Sequence, residues 1–321
     1  MKTKDRISYL IVTWNNEDII KECIDTLMKY CNYDNEIIIV DNDSKDNTCE
    51  VIKATYGNKV RLIESKENLG FSKANNIGLK EVTGKYVFYV NPDIIFIEDV
   101  VTPMIKILEE RKDIGVVSPR LLNKDMTYQV STCNFPKASK IFWDDCQLYK
   151  ILPNRFKKKY AQAQYKGCED RIVDWTYGAA HFCRKEETVK LGGYPQGYFM
   201  YGEDSEFCMV YWDKMKLKTY YLGSSKIIHL GGYSEKQVIN SKKPVYVANA
   251  NMHFVNKYYG KFSLLRYRFM LFNAAFFKSI VYNIKGLFVK TVAVKNSKIK
   301  WSATWRAVLK YKNRLCKLDF K

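Results

Sequence analysis

Short apolar runs alternate with amphipathic stretches in the first part of the chain. Residues 7–13 and 36–41 are largely apolar runs of strand length. Residues 17–30, which lie between them, repeat apolar positions at helical spacing and predict an amphipathic helix. Its apolar face consists of Ile19, Ile20, Cys23, Ile24 and Leu27.

The same alternation continues to about residue 111. The pattern predicts a strand over residues 60–64, a loop entering a helix over 68–76, a strand over 85–90 and a helix over 98–111. Continuously apolar strands that alternate with helices predict a mostly parallel sheet covered on both faces. We therefore expect an α/β fold.

Polar residues follow three of these apolar runs, namely Thr13, Asp41 and Asp93. In open α/β sheets, ligands bind beyond the carboxyl ends of the strands, so these side chains mark one candidate site. Asp93 ends the turn Asn91-Pro92-Asp93, where a carboxylate is placed to hold a metal ion. The same tripeptide is also typical of a turn or a helix cap, and the sequence alone leaves both interpretations open.

Composition bounds the class of protein. The chain has 321 residues, of which 47% are hydrophobic and 15% aromatic, which suffices for one large α/β domain with an appendage. Its nine cysteines are scattered without a Cys-x-x-Cys pair, so neither a disulfide framework nor a thiolate zinc site is indicated. The N-terminus lacks the apolar stretch of a secretory signal, and we expect a cytoplasmic protein.

The positive charge is concentrated near the C-terminus. Residues 241–321 hold 18 Lys and Arg against one acidic residue, whereas the formal net charge of the whole chain is +19. We therefore predict two regions, an α/β domain over residues 1–240 and a basic region over residues 241–321.

Eight motifs follow one another between residues 7 and 234. They are Val12-Thr-Trp-Asn15, Val40-Asp-Asn-Asp-Ser-Lys-Asp46, Asn68-Leu-Gly-Phe71 with Asn76-Ile-Gly78, Asn91-Pro-Asp93, Asp174-Trp175 with Gly178-Ala-Ala180, Gly192-Gly-Tyr194, Phe199-Met-Tyr-Gly-Glu-Asp204 and His229-Leu-Gly-Gly-Tyr-Ser234. In order and spacing they resemble glycosyltransferase family 2, inverting nucleotide-sugar transferases of the GT-A fold, and within it the rhamnosyltransferase-like branch. The resemblance implies a GT-A catalytic domain that transfers a sugar from a UDP- or dTDP-linked donor to a lipid-linked or cell-surface polysaccharide acceptor. The resemblance to the rhamnosyltransferase-like branch suggests rhamnose as that sugar.

The resemblance also implies a divalent metal, Mn²⁺ or Mg²⁺, held by Asp93 and His229. Such an ion stabilises the negative charge that develops on a leaving diphosphate. The family usually has Asp-x-Asp where this chain has Asn91-Pro92-Asp93, so we expect a lower metal affinity. A histidine after an apolar strand is also commonly a hydrogen-bonded packing residue.

Inversion at the anomeric carbon requires one base that takes the proton of the acceptor hydroxyl. Asp204 is the candidate base, and Glu203 beside it is predicted to bind acceptor hydroxyls. Acidic residues are also favoured in the first turn of a helix, which the following residues predict, and both roles are compatible.

For the nucleotide sugar, the resemblance implies contacts from Thr13, Asn15, Asp41, Asn68, Gly70, Phe71, Asn75, Asn91 and Asp93. An acidic acceptor at Asp41 suits the N3–H of uracil or thymine, and Gly70 allows a close approach of the backbone. The alternative for Asp41, Asp43 and Asp46 is a role as turn and cap residues.

For the acceptor, the resemblance implies Trp175, Tyr177 and Gly178 in addition to Glu203. Flat aromatic faces such as those of Trp175 and the segment 194–201 stack on the C–H surfaces of sugars. The alternative is that these rings belong to the core.

The C-terminal region is basic, aromatic and helical in pattern from residue 254 onwards. Its longest uncharged apolar stretch, residues 269–277, is far shorter than the roughly 20 residues that span a membrane. Basic residues beside aromatic faces are attracted to anionic lipid by about 1 kcal/mol each, which predicts peripheral association with the inner face of the cell membrane. The alternative is a helical subdomain that packs on the catalytic domain.

Two other classes of protein are compatible with parts of the sequence. Clustered Lys and Arg with aromatic residues also suit nucleic acid, but no recognition motif accompanies them and we do not expect that partner. A non-catalytic nucleotide-sugar-binding module would tolerate Asn91, although Glu203, Asp204 and His229 argue against it.

Dinucleotide and P-loop motifs are absent. The sequence leaves open whether the chain forms a homo-oligomer.

Overall fold

The computed structural model describes residues 6–141, 153, 168–198, 201–231 and 242–312. The chain divides into two compact units, of which the first is Met1–Cys133 with Lys166–Ser234 and the second is Asn134–Tyr165 with Glu235–Lys321. The sequence did not predict that residues 134–165 belong with the C-terminal part. The predicted division at residue 240 lies outside the described residues and stays a prediction, as do the motif positions Phe199, Met200 and 232–234.

The first unit is built around one large sheet and a small two-stranded one. The strands are β1 (Ile7–Thr13), β2 (Asn35–Asp41), β3 (Arg61–Glu64), β4 (Tyr86–Val90), β5 (Ile94–Phe96), β6 (Ile114–Leu122), β7 (Thr132–Cys133), β8 (Arg171–Val173), β9 (Trp175–Thr176), β10 (Ala180–Arg184) and β11 (Lys218–His229). The helices of this unit are α1 (Ile20–Tyr30), α2 (Thr48–Tyr56), α3 (Phe71–Leu79), α4 (Val101–Glu110), α6 (Lys185–Leu191) and α7 (Glu203–Met215), and a 3₁₀ turn follows α2 at Gly57–Lys59. The second unit has α5 (Ala138–Lys140), α8 (Lys243–Phe288) and α9 (Val292–Lys310).

The strand order of the large sheet is β3-β2-β1-β4-β10-β6-β11-β5, with β8 paired to β11, and β7 pairs with β9 in the small sheet. Strands β1 to β4 are mutually parallel, as the alternation of strands and helices predicts. Beyond β4 the sheet is mixed, because β10 runs antiparallel to both β4 and β6. The predicted α/β fold is confirmed, and the antiparallel insertion of β10 adds a feature that strand-helix alternation does not reveal.

Helices cover both faces of this sheet. The apolar faces of α1 and α4 pack with Tyr9, Phe88 and Phe182 on one side, and α3 and α7 pack with Leu10, Val87 and Tyr89 on the other. Because successive side chains of a strand point to opposite faces, strands such as β4 must be apolar throughout. All five residues of β4 are buried accordingly.

The second unit, described by itself, is a helical hairpin. Its long helix α8 is interrupted at Gly260, whose φ of 80° is outside the helical region. After this kink, Tyr267, Leu271 and Ala274 of α8 form a buried cluster with Ala307 and Val308 of α9. The helical pattern predicted for this region is confirmed up to α9.

Among the described residues, every helix is too short or too polar to span a lipid bilayer.

Candidate functional site

The three polar strand ends predicted from the sequence lie on one edge of the sheet. Thr13 pairs with Asp41 at the ends of β1 and β2. Val90, the last residue of β4, pairs with Ile11 of β1, so the turn that carries Asp93 begins at the same edge. The carboxyl ends of β1, β2 and β4 therefore present the candidate nucleotide-binding residues together.

Asp41 is buried and anchors the loop that follows β2. Its Oδ2 accepts a hydrogen bond from the Ser44 N–H at 3.0 Å, and its Oδ1 accepts one from the Ser44 hydroxyl at 2.5 Å. The Ser44 hydroxyl in turn accepts from the Asn15 N–H at 2.8 Å. Asn15 and Asp43 have φ values of 51° and 69°, a left-handed conformation that Asn and Asp tolerate better than most residues. Asp41 thus has the structural role left open by the sequence, and its two oxygens keep further acceptor capacity.

Asp46 is a helix-capping residue. Its Oδ1 accepts from the Thr48 N–H at 3.1 Å at the start of α2, and its Oδ2 accepts from the Glu17 N–H at 3.1 Å. The first contact is a turn at the start of α2, and the second joins this loop to the loop after β1. The turn and cap role is the one that the alternative interpretation of Asp46 predicts.

Asn68 and Gly70 belong to a loop held by a residue that the sequence analysis missed. The buried Asn42 donates to Oδ1 of Asn68 at 2.9 Å and accepts from the Leu69 N–H at 2.8 Å. Oδ1 of Asn68 also accepts from the Gly70 N–H at 3.0 Å. Gly70 immediately precedes α3 and has a φ of 78°, a backbone conformation that favours glycine. Asn42 stands in the quoted motif, but only the folded loop reveals its partners.

Phe71 and Asn75 lie in the first turns of α3. The Asn75 amide is buried and donates to the Phe71 carbonyl at 3.0 Å. Asn75 is therefore engaged with its own helix, whereas Phe71 lies beside Gly178, where an added Cβ would be 3.8 Å from its ring. This contact joins the nucleotide-binding candidates to the acceptor-binding candidates.

Asp93 and His229 face each other. Nε2 of His229 is 3.3 Å from Oδ1 of Asp93, and the Gly231 N–H donates to Oδ2 of Asp93 at 3.1 Å. The two residues meet because β11 pairs with β5 in a register that sets His229 opposite Ile94. The backbone of Leu230 adds a hydrogen bond to the Asp93 carbonyl at 3.0 Å. The prediction that these two residues form one site thus has a geometric counterpart.

The donor set of this pair fits a small divalent cation. Carboxylate oxygen and imidazole nitrogen are ligands that Mn²⁺ accepts, and carboxylate oxygen suits Mg²⁺. Two ligand atoms at right angles, each about 2.1 Å from one octahedral ion, are about 3.0 Å apart, close to the observed separation of Asp93 and His229. Within the described residues, no group of three or more His, Cys, Asp or Glu side chains converges on one point. Phosphate oxygens and water would have to complete the coordination.

Gln129 is a second residue that the sequence analysis missed. Its Oε1 is 2.5 Å from Nδ1 of His229, and its Nε2 donates to the His229 carbonyl at 3.0 Å. It lies between β6 and β7, outside all the quoted motifs, so the sequence carried no signal for it.

Asp204 lies in the first turn of α7 and contacts Gly178. A Cβ added to Gly178 would be 3.3 Å from that of Asp204, which is tighter than most Cβ contacts. The Ser205 N–H donates to Oδ1 of Asp204 at 2.8 Å. The backbone groups of Ser205 and Gly178 both favour the ionised carboxylate and lower its pKa. Burial raises the pKa of Asp204 to about 6 in spite of these donors. The group is ionised at neutral pH and remains basic enough to accept a proton.

Glu203 is more deeply buried, with 8% of its surface exposed. Burial, with the adjacent charge of Asp204, raises the pKa of Glu203 to about 8, so this carboxyl is largely protonated at neutral pH. In the described part of the chain its Oε2 has no hydrogen-bonding partner. An uncharged carboxyl with one unengaged oxygen can hydrogen-bond a hydroxyl group.

An aromatic cluster supports Gly178 and α7 from inside. Nδ1 of the fully buried His181 forms a hydrogen bond of 2.9 Å with the Tyr194 hydroxyl. The His181 ring also stacks on Phe207 at a centroid distance of 5.4 Å. Burial lowers the pKa of His181 to about 4, so the ring is neutral. The Tyr194 hydroxyl is 3.4 Å from a Cβ position on Gly178. These contacts fix the position of the loop that touches Asp204.

The predicted acceptor-binding aromatics are neighbours. The rings of Trp175 and Tyr177 are 5.3 Å apart at an angle of 59°. Pairing of β9 with β7 positions Trp175, and the Tyr177 hydroxyl lies 3.8 Å from Sγ of Cys133. Tyr177 is 37% exposed, so part of this side chain reaches the surface.

One backbone hydrogen bond links the metal-binding candidates to the candidate base. The Asn91 N–H donates to the Ala179 carbonyl at 2.9 Å, at the point where β4 pairs with β10. Asn91 lies two residues before Asp93, and Ala179 follows Gly178, the residue that contacts Asp204. The predicted nucleotide-sugar, metal and base residues thus lie at one edge of the sheet.

Comparison with known proteins identifies relatives of this chain. The sequence model described as "Glycosyl transferase family 2" matches residues 8–175. Rhamnosyltransferase WbbL of Escherichia coli is 29% identical over 212 residues, which is 62% of this chain and 74% of WbbL. Glycosyltransferase GlyA of Streptococcus pneumoniae is 31% identical over 119 residues, which is 36% of this chain but only 17% of GlyA.

A solved structure shares the fold. The mannosyltransferase PcManGT of Pyrobaculum calidifontis, in complex with GDP-Man and Mn²⁺, superimposes with a TM-score of 0.55 at 15% identity, covering 96% of this chain and 87% of PcManGT. At this identity the likeness is one of fold.

Proposed function

The chain belongs to glycosyl transferase family 2, and we propose that it transfers a sugar from a nucleoside-diphosphate sugar to a glycan acceptor with inversion at the anomeric carbon. The observation that carries this proposal is the position of Asp204. Its partly exposed carboxylate is held by Gly178 and Ser205 at the sheet edge that also bears Asp93 and His229.

Asp204 is the base of the proposed reaction. It accepts the proton of the acceptor hydroxyl while that oxygen forms a bond to the anomeric carbon, and the bond from that carbon to the diphosphate oxygen breaks on the opposite side. The nucleoside diphosphate leaves with the electron pair. A raised pKa suits Asp204 to this role because a base is most effective when its pKa is near the working pH.

Asp93 and His229 are proposed to hold the divalent cation, Mn²⁺ or Mg²⁺. The ion would supply positive charge to the leaving diphosphate. The opposed donor atoms of the pair support this role, and the presence of Mn²⁺ in the PcManGT complex agrees with it. Because Asn91 replaces a carboxylate, the site relies more on the phosphates of the donor than a two-carboxylate site does.

The nucleotide is proposed to lie along the ends of β1 and β2. Asp41 keeps acceptor capacity for the N3–H of a pyrimidine, while Thr13 lies beside it and Asn15 shapes the adjoining loop. The loop of Asn68 and Gly70 would approach the nucleotide through its backbone, and Phe71 and Asn75 shape the helix that follows. A UDP- or dTDP-linked donor fits these groups, and the similarity to rhamnosyltransferase WbbL supports rhamnose as the sugar.

The acceptor is proposed to bind beside Asp204, on Trp175, Tyr177 and Gly178. Tyr177 offers an exposed ring on which a sugar face can stack. Glu203, neutral at physiological pH, donates a hydrogen bond to the acceptor from its unengaged carboxyl oxygen. Neutral and aromatic groups of this kind suit a saccharide hydroxyl better than a charged group.

The acceptor is proposed to be lipid-linked or part of a surface polysaccharide, at the cytoplasmic face of the membrane. The second unit supports this, because α8 carries a series of large exposed apolar side chains, here called the exposed stripe. The stripe consists of Phe262, Leu265, Phe269, Phe276, Phe277, Ile280, Ile284, Leu287 and Phe288. Most neighbouring members are three or four residues apart, and basic residues such as Lys261, Arg266 and Lys285 lie among them. This combination is typical of helices that lie on anionic bilayers.

The proposal is tested by thermal stabilisation with UDP, dTDP, GDP and CDP, each with and without Mn²⁺ or Mg²⁺. A ligand that binds the native state raises the melting temperature by mass action. We expect a metal-dependent rise with a pyrimidine diphosphate, followed by release of that diphosphate from its sugar donors on incubation with the protein. An absence of stabilisation by all four nucleotides would contradict the proposal.

A further inference from the structure

Gln129 makes two contacts with one histidine. Its carbonyl oxygen Oε1 is 2.5 Å from Nδ1 of His229, and its amide Nε2 is 3.0 Å from the carbonyl oxygen of the same residue. Nε2 is also 3.0 Å from Oδ1 of Asn123. The side chain thus contacts both the ring and the backbone of His229.

The partners of Gln129 determine which way its amide points. The amide nitrogen can only donate and the carbonyl oxygen can only accept. Because Nε2 already faces two acceptor oxygens, on His229 and Asn123, the reversed orientation would oppose oxygen to oxygen at both contacts. Oε1 therefore faces the imidazole as an acceptor, and Nδ1 of His229 must carry a hydrogen.

A hydrogen on Nδ1 leaves the lone pair of the neutral imidazole on Nε2. That nitrogen faces Asp93, whose Oδ1 is 3.3 Å away and whose Oδ2 is engaged by the Gly231 N–H. Two electron-pair donors thus lie 3.3 Å from each other. Metal-binding histidines commonly donate their second ring nitrogen to a partner of this kind, which orients the ring and fixes the tautomer.

We propose that Gln129 is a positioning residue that holds His229 in the Nδ1–H tautomer, so that Nε2 and Asp93 together receive a divalent cation. The inference about the cation rests on the proposed function, whereas the inference about the tautomer does not. Gln129 acts through His229 and need not touch donor or acceptor.

The test uses the full chain and three variants. Gln129→Leu removes the acceptor and the donor together, whereas Gln129→Glu keeps an oxygen opposite Nδ1 and loses only the donor to His229 and Asn123. Val130→Ala changes the exposed neighbouring side chain as a control. Circular dichroism and melting temperature establish that each variant is folded. If Gln129→Leu does not fold, Gln129→Glu and Gln129→Met provide the same contrast between acceptor and no acceptor.

The first readout is the tautomer of His229 without metal, from long-range ¹⁵N–¹H spectra of histidine-labelled protein. The chain has three histidines, and His229→Asn identifies the signal. We expect Nδ1–H in the wild type, Val130→Ala and Gln129→Glu, and a shift toward Nε2–H in Gln129→Leu. An Nε2–H tautomer in the wild type, or an unchanged tautomer in Gln129→Leu, would overturn the proposal.

The second readout is Mn²⁺ binding by calorimetry, with the pyrimidine diphosphate that stabilises the protein most. We expect Gln129→Leu to weaken Mn²⁺ binding by about 10- to 100-fold, the usual effect of losing such a partner, and Gln129→Glu to restore it. Equal affinities of Gln129→Leu and wild type would refute the role of Gln129 toward the cation. If the wild type binds no Mn²⁺ while the tautomer follows Gln129, the proposed metal function fails and the tautomer assignment stands.

Discussion

Oδ1 of Asp93 and Nε2 of His229 lie 3.3 Å apart, although more than a hundred residues separate them in the chain. The pairing of β5 with β11 brings them together, and the Gly231 N–H fixes the second oxygen of Asp93. The geometry of the pair is thus set by backbone hydrogen bonds of the sheet. Changes to either side chain are therefore expected to alter ligand affinity more than the fold.

Asp93→Asn is expected to weaken Mn²⁺ binding in the presence of nucleoside diphosphate by about 100-fold or more, because it removes the only charged ligand of the pair. Loss of a residue that merely hydrogen-bonds to a metal ligand already lowers metal affinity by about 10- to 100-fold. Calorimetry at fixed nucleotide measures this. The matched variant Asn91→Asp restores the Asp-x-Asp pattern and should strengthen Mn²⁺ binding. Unchanged affinity in Asp93→Asn would remove this residue from the metal site.

The rate of sugar transfer is expected to depend on the ionisation of Asp204. Burial raises the pKa of this carboxyl to about 6, and only the ionised form accepts a proton. The value of kcat/KM should therefore rise with pH up to about pH 6 and level off above it. Initial rates between pH 5 and pH 8, corrected for any loss of folded protein, provide the measurement. A rate that falls over this range would contradict the assignment of a carboxylate base.

Glu203→Gln is expected to raise the stability of the protein, and to raise it more at pH 8 than at pH 5. The folded state keeps the Glu203 proton up to about pH 8, whereas the unfolded chain releases it near the ordinary value of 4.5. Stability of the wild type is therefore lost as pH rises through this window, and a glutamine avoids that loss. A gain of about 1 kcal/mol corresponds to a rise of about 2–4 °C in melting temperature.

The control for this experiment is Glu186→Gln, which alters an exposed acid in α6. Its melting temperature should follow that of the wild type at every pH. A Glu203→Gln variant that is equally or less stable than the wild type at pH 8 would show that the buried carboxyl is ionised or that its oxygens are engaged.

The exposed stripe of α8 is expected to bind anionic vesicles. Phe262 and Phe269 are 73% and 68% exposed. Burying one such ring in an apolar environment contributes about 1.5–3 kcal/mol, and replacing both residues with Ser removes this contribution to membrane binding. Sedimentation with phosphatidylglycerol vesicles should show at least about a tenfold loss of binding in this variant. Val189→Ser, which alters an exposed apolar residue of α6, serves as control. Equal binding by the stripe variant and the control would contradict the membrane assignment.

Much of the fold follows from local pattern in the sequence. The apolar runs ending near Thr13 and Asp41 form adjacent parallel strands, because each run is long enough for a strand and too continuous for a half-exposed one. The antiparallel course of β10 was not predicted, since its direction depends on pairing with β4 and β6 rather than on its own residues.

The candidate site residues were named from motifs, whereas the contacts between them are visible only in the folded chain. Asp204 and Gly178 were both named from the sequence, but their close contact depends on how α7 packs. Gln129 and Asn42 were missed because their importance lies in hydrogen bonds to residues distant in sequence. An amide side chain gives no periodic or compositional signal of such a role.

The most direct test of the account is the comparison of Asp204→Asn with the wild type in sugar transfer and in nucleotide binding. Asparagine keeps an oxygen that can accept from the Ser205 N–H, but it cannot take a proton from an acceptor hydroxyl. We predict that transfer falls by about 10²- to 10⁴-fold while affinity for the donor nucleotide is retained. Transfer at close to the wild-type rate would contradict the account.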